Sequence, residues 1–175
     1  MVTIASSVRC VSAGEAAGLP PLPALTAARG PGEPADAGWS WPLAPVPRVV
    51  HAFAVGPFPW SPGHRGVDLA ARPGRVVLAP ANGVIAFAGV VAGRPVLVVA
   101  HAGGLRGTYE PVRGSLPVGS AVRRGEAMGV LVASVASHCA PQACLHWGVL
   151  RGQTYLDPLG LLQGRRGPPV LLPLR

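Results

Sequence analysis

The sequence contains no lysine: all fifteen of its basic side chains are arginine. That excludes chemistry carried by a lysine amine, including Schiff-base catalysis, the phosphate-binding lysine of a P-loop, and biotin or lipoyl attachment. Aromatic residues make up 5% of the chain and charged residues 13%, with three cysteines, three aspartates, four glutamates and five histidines. Few side chains can therefore carry chemistry at all. A mainly helical protein is not expected, because 24 glycines and 21 prolines interrupt nearly every stretch of ten residues. The net charge of +8 does not point to nucleic acid, since the arginines are scattered, adjacent only at Arg123-Arg124 and Arg165-Arg166, and no aromatic residues interleave with them. The charge reads either as the codon bias of a GC-rich genome or as attraction to a polyanion such as a cell-wall polymer.

What the chain does have is apolar residues: 49% of it, with a mean hydropathy of +0.39, which suffices to bury a core. An uncharged run of 18 residues, 76–93, is cut by Pro80, Asn82-Gly83, Gly89 and Gly93 into strand-length pieces, so no membrane span is expected. Residues 80–83, Pro-Ala-Asn-Gly, read as a hairpin turn joining 76–78 to 84–87. Short apolar runs at 76–78, 84–87, 95–100, 108–112, 127–132 and 145–150 predict a compact all-β domain with an antiparallel sheet. That domain is placed at residues 39–162. Residues 1–38, rich in Ala, Gly and Pro, are expected to be disordered, and residues 163–175 to form a tail. The first 28 residues show no continuous apolar stretch with a clear cleavage site, so no export signal is read from them.

Among the few polar candidates, His64 and Asp68 lie four residues apart in Gly-His-Arg-Gly-Val-Asp. A turn between them would let both reach one metal ion, and zinc takes nitrogen and oxygen donors at about 2 Å. His146, in the apolar run 145–150, can complete a two-His, one-Asp set with water in the fourth position. Cys144 precedes it by two residues and shares its strand face. Alone, the spacing of His64 and Asp68 is more often that of a surface loop. The stretch 118–129, with its Gly-x-x-Val-x-x-Gly rhythm, is similar to a lipoyl-type carrier domain, but the missing lysine removes that function.

These residues resemble the lysostaphin-type zinc endopeptidases that cut peptide cross-links in bacterial peptidoglycan. The matching elements are His64-x-x-x-Asp68 with Leu-Ala-Ala after it, Val-Leu-Ala-Pro-Ala-Asn-Gly-Val-Ile at 77–85, Val-Val-Ala-His-Ala-Gly-Gly-Leu at 98–105, Val118-Gly119 with Val122 and Gly125, and Leu-His-Trp at 145–147. The resemblance implies an all-β fold of the barrel-sandwich, duplicated-hybrid-motif type bearing a groove. It also implies zinc held by His64, Asp68 and His146, a peptidoglycan-peptide or anionic wall-polymer partner, and a secreted or cell-envelope, monomeric protein.

Two departures bear on activity. The family's His-x-His strand has Cys144 at its first histidine, and its Tyr-x-His segment is Tyr109-Glu110-Pro111. Both helper histidines are thus replaced, so the expected activity is weak or absent, and the alternative is a non-catalytic wall-binding or partner-regulating module. His138, in the loop before Cys144, is a candidate to supply the missing base, ahead of Glu110, which neighbours the position of Pro111. Glu110 is expected to point away from the groove, His101 to be a turn residue rather than a ligand, Trp147 to lie in the core or groove wall, and His51 to belong to no constellation. The wall-facing location that the resemblance implies favours a Cys139–Cys144 disulfide. The alternative is a reduced Cys144 thiolate as fourth zinc ligand.

Overall fold

The computed structural model describes residues 38–56, 58, 61–133, 139 and 142–162. The segments expected to be disordered or to form a tail, 1–38 and 163–175, lie outside the described residues but for Gly38. Among the described residues eleven strands follow in chain order: β1 (Val49–His51), β2 (Val67–Ala70), β3 (Val76–Leu78), β4 (Gly83–Val91), β5 (Arg94–His101), β6 (Leu105–Glu110), β7 (Val112–Gly114), β8 (Ala121–Val122), β9 (Ala127–Leu131), β10 (Cys144–Arg151) and β11 (Thr154–Leu156). The expected all-β architecture is what the chain adopts. Among the described residues no helix is long and apolar enough to cross a membrane.

The strands form two sheets. The larger runs β1-β2-β10-β6-β5-β4-β8, with β11 also paired to β10, and the smaller runs β3-β9-β7. Every registered pair is antiparallel. Alternation sends Leu97 and Val99 of β5, Tyr109 of β6, and Leu145, Trp147 and Val149 of β10 to one face, where all are fully buried. Val77, Val112, Met128 and Leu131 of the smaller sheet close over that face to form the core.

Two expectations are corrected here. Residues 80–83 do not make a hairpin: β3 pairs with β9, whereas β4 pairs with β5 and β8, so the Pro-Ala-Asn-Gly segment carries the chain from one sheet to the other. A tight hairpin lies instead between β4 and β5, as another does between β10 and β11. Ala92 and Gly93 of the first both have positive φ, 48° and 78°, the handedness that two-residue turns need to match strand twist. The run 108–112 is also two strands, not one. Pro111 has no N–H to give a ladder, and the chain leaves the larger sheet at Glu110 and enters the smaller at Val112.

Candidate metal centre

The site lies on the opposite face of the larger sheet from the core, across β1, β2, β10 and β6. Antiparallel register sets Asp68 of β2 directly between His51 of β1 and His146 of β10, and sets Glu110 of β6 against His146. Cross-strand partners share a face, so these four side chains form one row. His64 joins them from the loop before β2, where its backbone bridges to Ala54. His146 Nδ1 is 2.8 Å from Asp68 Oδ1 and 3.1 Å from His64 Nε2, and His64 Nε2 is 3.1 Å from the same Oδ1. His64 Nδ1 donates to the carbonyl of Ala52 at 2.8 Å, which fixes the tautomer and leaves Nε2 with a lone pair aimed at the other two atoms.

This donor set fits a small divalent ion. Two imidazole nitrogens and a carboxylate oxygen are the donors zinc prefers, and a tetrahedral ion with bonds of ~2.0 Å spaces its ligands roughly 3.3 Å apart. The observed triangle differs from that by a few tenths of an ångström, and His64, Asp68 and His146 form one of two candidate metal-holding groups among the described residues. Asp68 is 1% exposed. Burial pushes its carboxyl up, but hydrogen bonds from His146 and His51 and the nearby His64 outweigh this and hold it down at about 2. Room for the His146 ring depends on Gly66, where a Cβ would come within 2.8 Å of ring atoms Cε1 and Nε2.

The other candidates are placed differently. Cys144 is bonded to Cys139, so in this state it is not a thiolate and not a fourth ligand. The expected disulfide is present. His138 lies outside the described residues. Glu110 does not point away from the groove: its register with His146 puts it on the site's face, where Arg94 Nε lies 3.2 Å from its carboxylate. His101 is the last residue of strand β5 and lies in neither of the donor groups formed among the described residues. It is buried against Trp39, with ring centroids 4.5 Å apart, and its Nδ1 donates to the carbonyl of Asn82. Burial lowers its pKa to about 4 against the opposing pull of that hydrogen bond. Trp147 is in the core, stacked on Trp39, and the buried Tyr109 hydroxyl is pushed up by desolvation.

The expectation overturned most clearly concerns His51. It does belong to a constellation: its Nδ1 is 2.8 Å from Asp68 Oδ2, and with Asp68 and Cys139 it forms the second candidate group. Its strand is three residues long, preceded by Pro45 and Pro47, and no periodic pattern announces it. A shallow cleft opens beside His64, lined by Val55, Phe58, Arg65 and Tyr155, with the Arg65 guanidinium 5.8 Å from the Tyr155 ring centre.

A two-His, one-Asp centre on a sheet face of this topology is the mark of a class of metallopeptidase. The family model of peptidase family M23 matches residues 62–158, and the chain belongs to that family. The protein is 48% identical over 132 residues to "Uncharacterized protein Rv2891" of Mycobacterium tuberculosis (strain ATCC 25618 / H37Rv), a match covering 73% of this chain and 53% of that protein. The chain thus spans about half the length of the curated relatives it matches. Among solved structures, a zinc-containing peptidase from Vibrio cholerae superposes with a TM-score of 0.58 at 19% identity, covering 70% of this chain and 39% of that one. Helicobacter pylori Csd3 gives 0.55 at 26% identity, covering 73% and 34%. The SpoIIQ–SpoIIIAH pore-forming complex gives 0.62 at 19% identity, covering 72% and 91%. The lysostaphin-type resemblance is therefore correct.

Proposed function

We propose that this chain is a zinc-binding M23 domain that engages peptidoglycan cross-link peptides and hydrolyses them weakly or not at all. What supports this reading is the close approach of His64, Asp68 and His146, together with the absence of histidine at both positions where the resemblance puts helper groups. Cys144 is tied up in a disulfide, and Pro111 has neither a titratable group nor a donor. Zinc at His64, Asp68 and His146 would lower the pKa of a bound water toward ~7 and polarise a carbonyl. The developing oxyanion and the departing amine still require a nearby donor. Loss of one acid–base group costs ~10² to 10⁴ in rate, and two are absent. Groove shape and the arginine surface do not depend on them.

The same vacancies favour a second reading, a wall-binding or partner-regulating module that keeps the metal and the groove. SpoIIQ, which has this fold, was solved in a pore-forming complex with SpoIIIAH, a precedent for a role in assembly. Either role fits a secreted or cell-envelope, monomeric protein. The test is metal analysis of the purified protein together with digestion and sedimentation of purified peptidoglycan. The reading expects one zinc per chain, lost in His146→Ala, and wall material that co-sediments but is little digested. Stoichiometric zinc in His146→Ala, or no sedimentation with the wall, overturns it.

A further inference from the structure

Asp68 divides its two oxygens between two tasks. Oδ1 faces His64 and His146 at 3.1 and 2.8 Å, while Oδ2 turns to the opposite side and meets His51 Nδ1 at 2.8 Å. We infer that His51 is a positioning residue of the metal centre, holding Asp68 so that a single oxygen is presented to the ion. The inference rests on the reading of His64, Asp68 and His146 as ligands.

Three observations carry it. First, register makes the contact a property of the fold: His51 and Asp68 are cross-strand partners on β1 and β2, as Asp68 and His146 are on β2 and β10. Second, the carboxylate is 1% exposed, so water cannot replace a missing donor on Oδ2, and an unpaired buried carboxylate oxygen is costly. The other polar atom within reach is Cys139 Sγ at 3.8 Å, and its disulfide leaves no S–H to give. Among the described residues His51 is therefore the donor that Oδ2 has. Third, the His51 side chain is itself 58% exposed, more than a core-packing role would need. Without the N–H, the carboxylate would be free to rotate or to offer both oxygens to an ion, and the spacing to His64 and His146 would no longer be set. Groups that hold a metal ligand in place typically contribute 10- to 100-fold in affinity.

The experiment separates the N–H from the bulk of the ring. Zinc affinity is measured by chelator competition on the whole chain for the wild type and for His51→Asn, His51→Ala and His51→Phe. Asparagine places an amide N–H where Nδ1 stood, alanine removes the group, and phenylalanine keeps the ring without a donor. The expected result is a 10- to 100-fold loss of affinity in His51→Ala and His51→Phe, with His51→Asn within about threefold of the wild type. Should His51→Ala fail to fold, the His51→Phe and His51→Asn pair decides alone. Wild-type affinity in the variants without a donor, or an asparagine variant as weak as they are, overturns the inference while the ligand triad stands. A wild type that binds no zinc overturns the triad instead.

Discussion

Asp68 and His146 face each other across neighbouring antiparallel strands, with Oδ1 and Nδ1 2.8 Å apart, and Gly66 leaves the space into which the His146 ring folds. A methyl group at Gly66 would sit 2.6 Å from the Trp147 carbonyl and 2.8 Å from two ring atoms of His146. Moving the ring relieves only the second contact, so the chain at Gly66 must also shift away from β10. Gly66→Ala is expected to weaken zinc binding at least tenfold and to cost about 1–3 kcal/mol in stability. Chelator competition and a denaturation curve on the same sample check both. Unchanged affinity would show that His146 is placed by other contacts.

How much of this was legible in the sequence follows from what each residue answers to. The nearness of His64, Asp68 and His146 is legible because a spaced motif carries the first two and an apolar run, which is strand β10, carries the third. His51 was missed because a three-residue strand has no period to detect, and its contact with Asp68 spans 17 residues of sequence. Alternation along an unbroken run 108–112 turns Glu110 away from the site, whereas the break at Pro111 leaves it in register with His146. The Pro-Ala-Asn-Gly segment looks like a hairpin locally, and only tertiary pairing places its two flanking strands in different sheets.

His101 gives the protein a pH dependence separate from its metal centre. Burial depresses its folded pKa from 6.5 to about 4, so between these values the unfolded chain takes up a proton that the folded chain refuses. The sign follows. The stability that His101 contributes is full above about pH 6.5 and falls by roughly 3 kcal/mol as pH drops to about 4. Asp68, held down from 3.8 to about 2, adds a loss of the same sign that begins at about pH 5 and is greatest below about pH 4. His101→Asn, which keeps a donor for the Asn82 carbonyl, should flatten the curve between pH 6.5 and 4 in urea titrations. A variant with the wild-type slope would refute the assignment.

The Cys139–Cys144 bond closes a loop with a sequence separation of 5 residues. Constraining so short a loop is worth about 2 kcal/mol in the unfolded state. The double variant Cys139→Ala, Cys144→Ala should lose that much and still bind zinc, because neither sulfur belongs to the triad. Thiol labelling of unfolded, unreduced protein should find one reactive cysteine, Cys10. Three labelled thiols would show that the bond does not form, and loss of zinc in the double variant would restore Cys144 as a ligand.

Activity should be recoverable by refilling the helper positions. Cys144 lies two residues before His146 on β10, so a histidine there shares the face of the metal centre. Cys144→His with Cys139→Ser, to remove the stray thiol, therefore places a second imidazole beside the triad. Pro111→His adds the other donor at the corner where β6 gives way to β7. The carbonyl of residue 111 is already held by the Val132 N–H at 3.0 Å, which the substitution leaves in place. Each restored acid–base group is worth ~10² to 10⁴ in rate. The triple variant should therefore release peptides from purified peptidoglycan at a rate well above the wild type, with unchanged zinc content. A wild type that already cleaves at ~1 per second or faster would mean that another group supplies the proton. Glu110, in register with His146, and His138, which stands in sequence beside the disulfide that borders Asp68, are then the residues to substitute first.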